Sequence, residues 1–293
     1  MMIRATVIIP TFRDWDGIQR CLDALALQTV SPSEFEIIVA NNNRDDVVPD
    51  SLSLPPNARV VWESKPGSYA ARNAALQVAQ GDAVFFTDSD CIPEPDWIAN
   101  GLDPLENHPD ITRFGGAVKL FPAKKDWTTP ELYDRVFNLR QERYVVHGYA
   151  ATANLLVRRS VFEAVGPFNA ELMSSGDKEW NQRAEKAGYP ILYLPNMCVR
   201  HPARDSFAAH AKKRGRVAEG KFIMKNRDKL KSYVSPLKYI FPSVRNAYRI
   251  CSEPNLVLFQ RLALLEFDYR LRLHEAGVLF KLRYLGGPQG RRQ

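Results

Sequence analysis

An α/β architecture is what this chain predicts: a mainly parallel sheet flanked by helices, followed by a basic helical C-terminal extension. Three observations lead there. Short β-branched runs alternate with stretches of helical period through the first hundred or so residues, the spacing of βαβ units. The segment Lys65–Trp97 reads in succession as loop, helix, buried strand and acidic turn. From Ser206 onward, apolar stretches become studded with Lys and Arg.

Taken in order, Arg4–Ile9 predicts the first strand, closed by Pro10-Thr11. Ile18, Cys21, Leu22 and Leu25 share one helical face within Ile18–Leu27. Phe35–Ala40 predicts the second strand, ending in Asn41-Asn42-Asn43, and Val60–Trp62 predicts the third. Lys65-Pro66-Gly67-Ser68 breaks the chain before a helix over Ala70–Gln80, and Gly81 takes the place of a C-terminal helix glycine. Ala83–Phe86 reads as a buried strand that delivers Asp88-Ser89-Asp90 to its C-terminal end, the edge where open α/β sheets bind ligands. A helix over Trp97–Leu105 follows, then a strand over Arg113–Val118 whose Gly115-Gly116 pair permits close approach to backbone. Gly148–Val157 predicts a further strand, Ser174–Trp180 opens a helix that ends at Gly188, and Ile191–Leu194 is the last strand.

Several patterns carry chemistry, each beside a plainer account. Two carboxylates one residue apart on a turn, Asp88 and Asp90, suit a hard divalent cation that also holds phosphate oxygens; a bare pair of this kind also fits a solvated acidic turn. The Asn41–Asn43 run either reads a polar ligand or makes an ordinary turn. Arg72 on its helix either meets an anion or faces solvent. Asp177 sits where a carboxylate suits helix capping and the helix dipole.

In order, the pieces VIIPTF, EIIVANN, ARNAA, DSD with CIPEPDW after it, and GDKEWNQR resemble the family 2 glycosyltransferases. They span roughly residues 3 to 204, about two-thirds of the chain. The resemblance implies a GT-A (Rossmann-like) fold with a mixed, mainly parallel sheet. It also implies inverting transfer of a hexose-type sugar from a nucleoside-diphosphate donor, UDP first among the bases, to a hydroxyl of a glycan or lipid-linked acceptor. By the same resemblance Asp90, Asp88 and His201 hold Mn2+ or Mg2+, and an imidazole ligand favours Mn2+. Pro10, Thr11, Phe12, Asn41, Lys65, Arg72, Asp88, Ser89 and Gly116 bind the nucleotide sugar. Asn41 stands where the family usually carries an aspartate that reads the base; an amide can both accept and donate there. Gly176 stands where the E-D-x-E/D motif has its first glutamate, while Asp177 matches the base and Glu179 the second acid. Thr152, Asn154 and Trp180 are expected on the acceptor side, near the irregular segment 123–147.

The chain's 293 residues can bury a full core, and 45% hydrophobic with 25% charged residues is ordinary globular composition. The first apolar run is too short for a signal peptide and no run approaches the ~20 residues of a membrane helix. Four cysteines lie far apart with no C-x-x-C pair, so free thiols and a cytoplasmic protein are expected. Charge divides unevenly. Residues 200–293 hold 21 Lys and Arg against 7 Asp and Glu, whereas residues 1–199 hold 19 against 26. A basic segment of this kind either meets an anionic surface or packs with its charges in water.

The expected organisation is therefore a catalytic domain over 1–204, with a nucleotide-binding half (1–100) and an acceptor and base half (101–204). A basic amphipathic helical region follows over 205–293, possible contact with the inner face of the cell membrane included. No nucleic-acid motif is present. A nucleotidyltransferase would carry glycines after the first strand, which VIIPTFRDW lacks. An inactive nucleotide- or nucleic-acid-binding module with a basic tail is the rival from a different class.

Overall fold

The computed structural model describes residues 3–43, 45–108, 110–227 and 236–285. The elements run β1 (Ala5–Thr11), α1 (Trp15–Ala26), β2 (Phe35–Asn41), β3 (Ala58–Trp62), α2 (Ser68–Val78), β4 (Ala83–Thr87) and β5 (Ile92–Pro93). Next come α3 (Trp97–Asn107), β6 (Arg113–Phe121), α4 (Thr129–Phe137), α5 (Gln141–Val145), β7 (Asn154–Arg158), α6 (Arg159–Val165), α7 (Gly176–Lys186) and β8 (Ile191–Pro202). α8 (Phe207–Arg227), α9 (Val244–Cys251) and α10 (Leu258–Tyr284) complete the series.

The strands form one sheet in the order β3-β2-β1-β4-β7-β6-β8-β5. β1 pairs in parallel with both β2 and β4, and β2 with β3. Beyond β4 the sheet is antiparallel at the β4–β7, β7–β6 and β5–β8 pairs. β1, β2 and β4 are buried along their whole length. That is why they read as unbroken apolar runs rather than alternating ones. Ile18, Cys21, Leu22 and Leu25 of α1 close one face of this core, as their spacing predicts. All four cysteines are free thiols.

Two local expectations are corrected. Gly81 is not a helix cap: α2 ends at Val78, and a Cβ on Gly81 would lie 2.4 Å from the Ala5 carbonyl carbon. Its amide donates to Thr6 Oγ1 (2.9 Å), so the glycine admits close backbone packing against β1. The strand expected over Gly148–Val157 begins only at Asn154. Gly148 has φ +73°, and the Gln141 side chain brackets the next turn, accepting from Ala151 N (2.9 Å) and donating to Ala151 O (3.1 Å) and Asn154 O (2.8 Å).

The described chain divides into two compact units. One holds the chain to Lys119 together with Leu139–His201; the other holds Leu120–Asn138 and the chain from Pro202 on. Leu120–Asn138 thus groups with the C-terminal region, although the sequence places it in the first domain. In the second unit α4, α8, α9 and α10 surround Leu132, Tyr133, Val136, Ala211, Ile250, Leu256, Leu264, Phe267 and Leu271. Half-buried Arg214 on α8 is bonded to Glu275 (2.8 Å), Asp268 (3.1 Å) and the Tyr133 hydroxyl. Of the basic helical region expected over 205–293, Phe207–Arg227, Val244–Cys251 and Leu258–Tyr284 are helical, and residues 228–235 and 286–293 lie outside the described residues.

In the first unit, buried Arg113 on β6 ties α7 to the sheet. Its guanidinium donates to Asn181 Oδ1 (2.7 Å), Tyr189 O (2.9 Å) and Glu185 Oε2 (2.6 Å). Burial pulls its pKa down to about 10, against the pull of Glu185. Arg113→Met strips the Asn181 and Tyr189 carbonyls of their donor. It is expected to lower the unfolding free energy by about 3 kcal/mol in urea titration, the usual cost of orphaning buried polar groups.

Candidate active site

The C-terminal ends of β1, β2 and β4 form one edge. Thr11 and Asn41 stand side by side in register there, both buried. Thr11 Oγ1, Asn41 Nδ2 and Arg72 Nε are buried with no hydrogen-bond partner in the structure. An unbonded buried polar atom costs about 1–3 kcal/mol, so three along one edge mark a cradle for a polar ligand. Asn41 Oδ1 accepts from Asn43 N (3.0 Å), which fixes the amide and leaves Nδ2 as the open donor. Pro10 lies within β1, opposite Ala40 of β2. Phe12 just beyond is 51% exposed, with the Arg13 guanidinium 5.3 Å from its ring centre.

Past β4, the Asp88 carboxylate accepts from Arg72 Nη2 at 2.5 Å. Ser89 Oγ donates to Asp14 Oδ2 (2.6 Å), and Asp14 also caps α1 through Gly17 N (3.1 Å). Asp90 Oδ1 lies 3.4 Å from His201 Nε2 at the end of β8. With Cys91, these two bring their ligand atoms within 4.8 Å of one another. Burial, Asp88 and Asp90 push the Cys91 thiol well up, which favours its neutral form in the absence of a cation. The carboxylate and the imidazole make a donor set that suits Mn2+. Asp88 stands outside this group, on Arg72.

The second centre is at the start of α7. Ser175 adopts φ +63°, and Asp177 follows in the first helical turn, half-buried. Its Oδ1 accepts from Lys178 N (2.8 Å) and the Tyr69 hydroxyl (3.2 Å). Burial raises the Asp177 pKa above its ordinary value, with Asp88 adding to the rise. The Lys178 amide, Arg72 and Tyr69 oppose it without cancelling it. Arg72 thus pairs with Asp88 and also bears on Asp177, linking the two acidic centres through one buried cation.

Other candidates sit elsewhere. Glu179 forms a fork with Arg183 (2.8 and 3.2 Å), which itself bonds Val165 O and Pro167 O. Trp180 is fully buried against Phe162 and Phe168, its Nε1 on Gly166 O (2.8 Å). Asn154 is fully buried as well, bonded to Trp97 Nε1 (2.9 Å), Ala117 O (2.8 Å) and Met197 O (2.7 Å). Neither side chain presents a surface to an acceptor. Thr152 is buried too. Gly116 gives way to protein, not ligand: its Cβ would lie 2.2 Å from Met197 O and 2.3 Å from Asn154 Nδ2. Lys65 forms an exposed ion pair with Glu171 (2.7 Å).

The family model for glycosyl transferase family 2 matches residues 6–166. The chain belongs to this family. Glycosyltransferase AglE of Haloferax volcanii is 33% identical over 221 residues, covering 73% of this chain and 72% of that protein. A glucosyl-dolichyl phosphate glucuronosyltransferase of the same organism is 26% identical over 220 residues, covering 68% and 69%. Among solved structures, the mannosyltransferase PcManGT from Pyrobaculum calidifontis, in complex with GDP-Man and Mn2+, matches 98% of this chain and 76% of its own with a TM-score of 0.56. S. aureus TarS 1–349 in complex with UDP matches 96% of this chain and 91% of its own at 0.52. At 18% identity each, these two show the fold, which is GT-A.

Several residues of this family 2 glycosyltransferase's site escape sequence reasoning. Tyr69 lies one helical turn before Arg72, a spacing that places both on one face and could have flagged it. Asp14 gives no signal beyond a helix cap. Asn42 clamps the loop after β3, donating to Glu63 O (3.0 Å) and Lys65 O (2.7 Å) while accepting from Gly67 N (2.6 Å). Nothing local distinguishes it from its neighbours.

Thr11→Val replaces an unbonded buried hydroxyl with a methyl of the same shape. It is expected to stabilise the ligand-free protein by about 1 kcal/mol in urea unfolding. A loss of stability would mean that the hydroxyl has a partner.

Proposed function

We propose that this enzyme transfers a sugar, with inversion and metal assistance, from a nucleoside-diphosphate donor to a hydroxyl of a glycan or lipid-linked acceptor. The observation that carries this is the row of unbonded buried polar atoms, Thr11 Oγ1, Asn41 Nδ2 and Arg72 Nε, at the edge that also holds the acidic groups. Asp177 is the base: it takes the proton of the acceptor hydroxyl as that oxygen attacks the anomeric carbon opposite the leaving diphosphate. Its raised pKa suits the task, because a carboxylate with a higher pKa is a stronger base. Asp90 and His201 would hold Mn2+ or Mg2+, which neutralises charge on the departing diphosphate when bound. Arg72 adds a fixed positive charge beside Asp88.

The open Nδ2 of Asn41 donates to a base carbonyl, and uracil, hence UDP, is the base we favour. The UDP complex of TarS and the GDP-Man and Mn2+ complex of PcManGT support a nucleotide-sugar donor and a metal. The dolichyl phosphate in the name of a Haloferax volcanii relative supports a lipid-linked acceptor.

A peripheral membrane location, on the cytoplasmic face, belongs to the same proposal. No described helix is long and apolar enough to cross a membrane. α10 nevertheless carries apolar residues on its outer face as well as its inner one: Phe259, Leu262, Tyr269, Leu273, Phe280 and Tyr284 are exposed at helical spacing. Arg270, Lys281 and Arg283 lie among them, a composition that fits an anionic lipid interface.

A thermal-shift screen of UDP- and GDP-sugars with and without Mn2+ tests the donor. A metal-dependent rise of the midpoint with one base is expected, and no shift with any nucleotide sinks the donor assignment. Asp177→Asn is expected to lower turnover at least a hundredfold, roughly the contribution of one general base, with the nucleotide shift retained. In the wild type, activity should rise with pH through a pKa above the ordinary carboxylate value of about 4, because the carboxylate must be ionised to act. Co-sedimentation is expected with phosphatidylglycerol-containing vesicles and not with pure phosphatidylcholine. Phe259→Ser with Leu262→Ser should abolish it, and equal sedimentation of this variant removes α10 as the seat.

A further inference from the structure

We propose that Tyr69 is a positioning residue for Asp177: its phenol holds one carboxylate oxygen, Oδ1, so that Oδ2 is the oxygen that takes the acceptor proton. This rests on Asp177 being the base.

Three observations meet at this contact. The Tyr69 ring, in the first turn of α2, is buried, and its hydroxyl lies 3.2 Å from Asp177 Oδ1. The second is Gly176. A Cβ at that position would lie 2.7 Å from two carbons of the Tyr69 ring. The ring therefore fills the space where a side chain at 176 would begin. Third, Oδ1 already accepts from Lys178 N (2.8 Å) and Tyr69, whereas no described group donates to Oδ2. Phe168, with its ring centre 5.7 Å away, and Arg72, 5.7 Å from the ring, hold the phenol from its other sides.

The chemistry follows from which oxygen is tethered. The acceptor O–H bond breaks and its proton goes to Oδ2. The acceptor oxygen's electron pair forms the bond to the anomeric carbon, and the pair of the carbon–phosphate-oxygen bond leaves with the diphosphate. A carboxylate free to rotate would divide its time between orientations; one anchored at Oδ1 presents Oδ2 in a fixed direction. The charged and titratable groups facing Asp177 are Tyr69 and Arg72 from α2, Asp88 past β4, Tyr149 from the loop before β7, and Lys178 beside it. Burial pushes Tyr149 up to about 12 and Tyr69 higher, so both phenols stay protonated donors through the working range.

Tyr69→Phe keeps the ring against Gly176 and removes only the donor. Turnover is read as diphosphate released with Mn2+ from UDP-glucose, UDP-GlcNAc, UDP-glucuronate and GDP-mannose. We expect kcat to fall about tenfold, the effect of one lost hydrogen bond to a charged group. The acid limb of the kcat/KM profile moves to higher pH, because a carboxylate with one donor fewer is harder to ionise. KM for the sugar nucleotide and its thermal shift stay as in the wild type. A folded Tyr69→Phe protein with the wild-type kcat and pH limb overturns the proposal, as does a loss of stability with no movement of the limb. If Tyr69→Phe does not fold, 3-fluorotyrosine at position 69, a stronger donor, should move the limb down; an unmoved limb overturns the proposal. Asp177→Asn separates the two readings. Turnover that survives it removes the base itself, whereas its loss beside an unaffected Tyr69→Phe removes only the positioning role.

Discussion

A buried guanidinium governs the active edge of this molecule. Arg72 is 3% exposed, and a charge so far from water is tolerable only with partners close at hand. Asp88 supplies one at hydrogen-bond distance, and Asp177 feels the same charge across the cleft edge. Removing the cation would leave Asp88, Asp90 and Asp177 as mutually repelling groups with no fixed counter-charge among them. Its Nε has no partner in the protein, so the residue is held by one face and open on another. That is the arrangement expected of a group that meets an anion.

Why the cation stands there is a matter of sheet topology. The parallel strands β2, β1 and β4 present Asn41, Thr11 and, one residue past β4, Asp88 at their C-terminal ends, and Arg72 of α2 reaches that edge through Asp88. Beyond β4 the sheet turns antiparallel, and α7 brings Asp177 back to the same edge. α7 owes its place to Arg113, whose guanidinium reaches Asn181 and Glu185 on two successive turns and Tyr189 O just past the helix. Two buried arginines, one in each half, therefore set the two acidic centres.

Much of this was legible in the sequence. Strands buried on both faces announce themselves as apolar runs, and the α1 face appears at helical spacing. Asp88 and Asp90 follow a strand that its apolar run announces, whereas Asp177 and His201 drew attention only through the family resemblance. What local pattern does not report is the partner across the fold. Gly81 looks like a helix cap until Ala5 is brought against it. Gly148–Ala153 has strand composition, yet one glutamine side chain satisfies its backbone as a turn. Asn154 and Trp180 have the polar and aromatic character of ligand contacts, and both are consumed by interior bonds. Tyr69 was missed for the converse reason. Its hydroxyl gains meaning only from a carboxylate far along the chain, and the glycine that admits its ring is read locally as a lost motif residue.

The C-terminal unit carries a related lesson about charge. Its acidic residues are few, and two of them, Asp268 and Glu275, are buried. There they bond Arg214, with Asn246 and the Tyr133 hydroxyl completing the shell around Asp268. Pairing inside the unit thus uses up a larger share of its acid than of its base, because residues 200–293, which supply most of it, hold 21 Lys and Arg against 7 Asp and Glu. The surface left over is more basic than the composition implies. On α10 that surplus sits beside an apolar face without a partner among the described residues, while the inner face of the same helix fills the core. A helix apolar on both sides is stable in water only if something else covers the outer one. Arg270, Lys281 and Arg283 interleave with the exposed apolar side chains, and Glu266 pairs with Arg270 among them. The proposed membrane contact rests on this interleaving, which an anionic lipid interface would cover at both its charged boundary and its apolar interior.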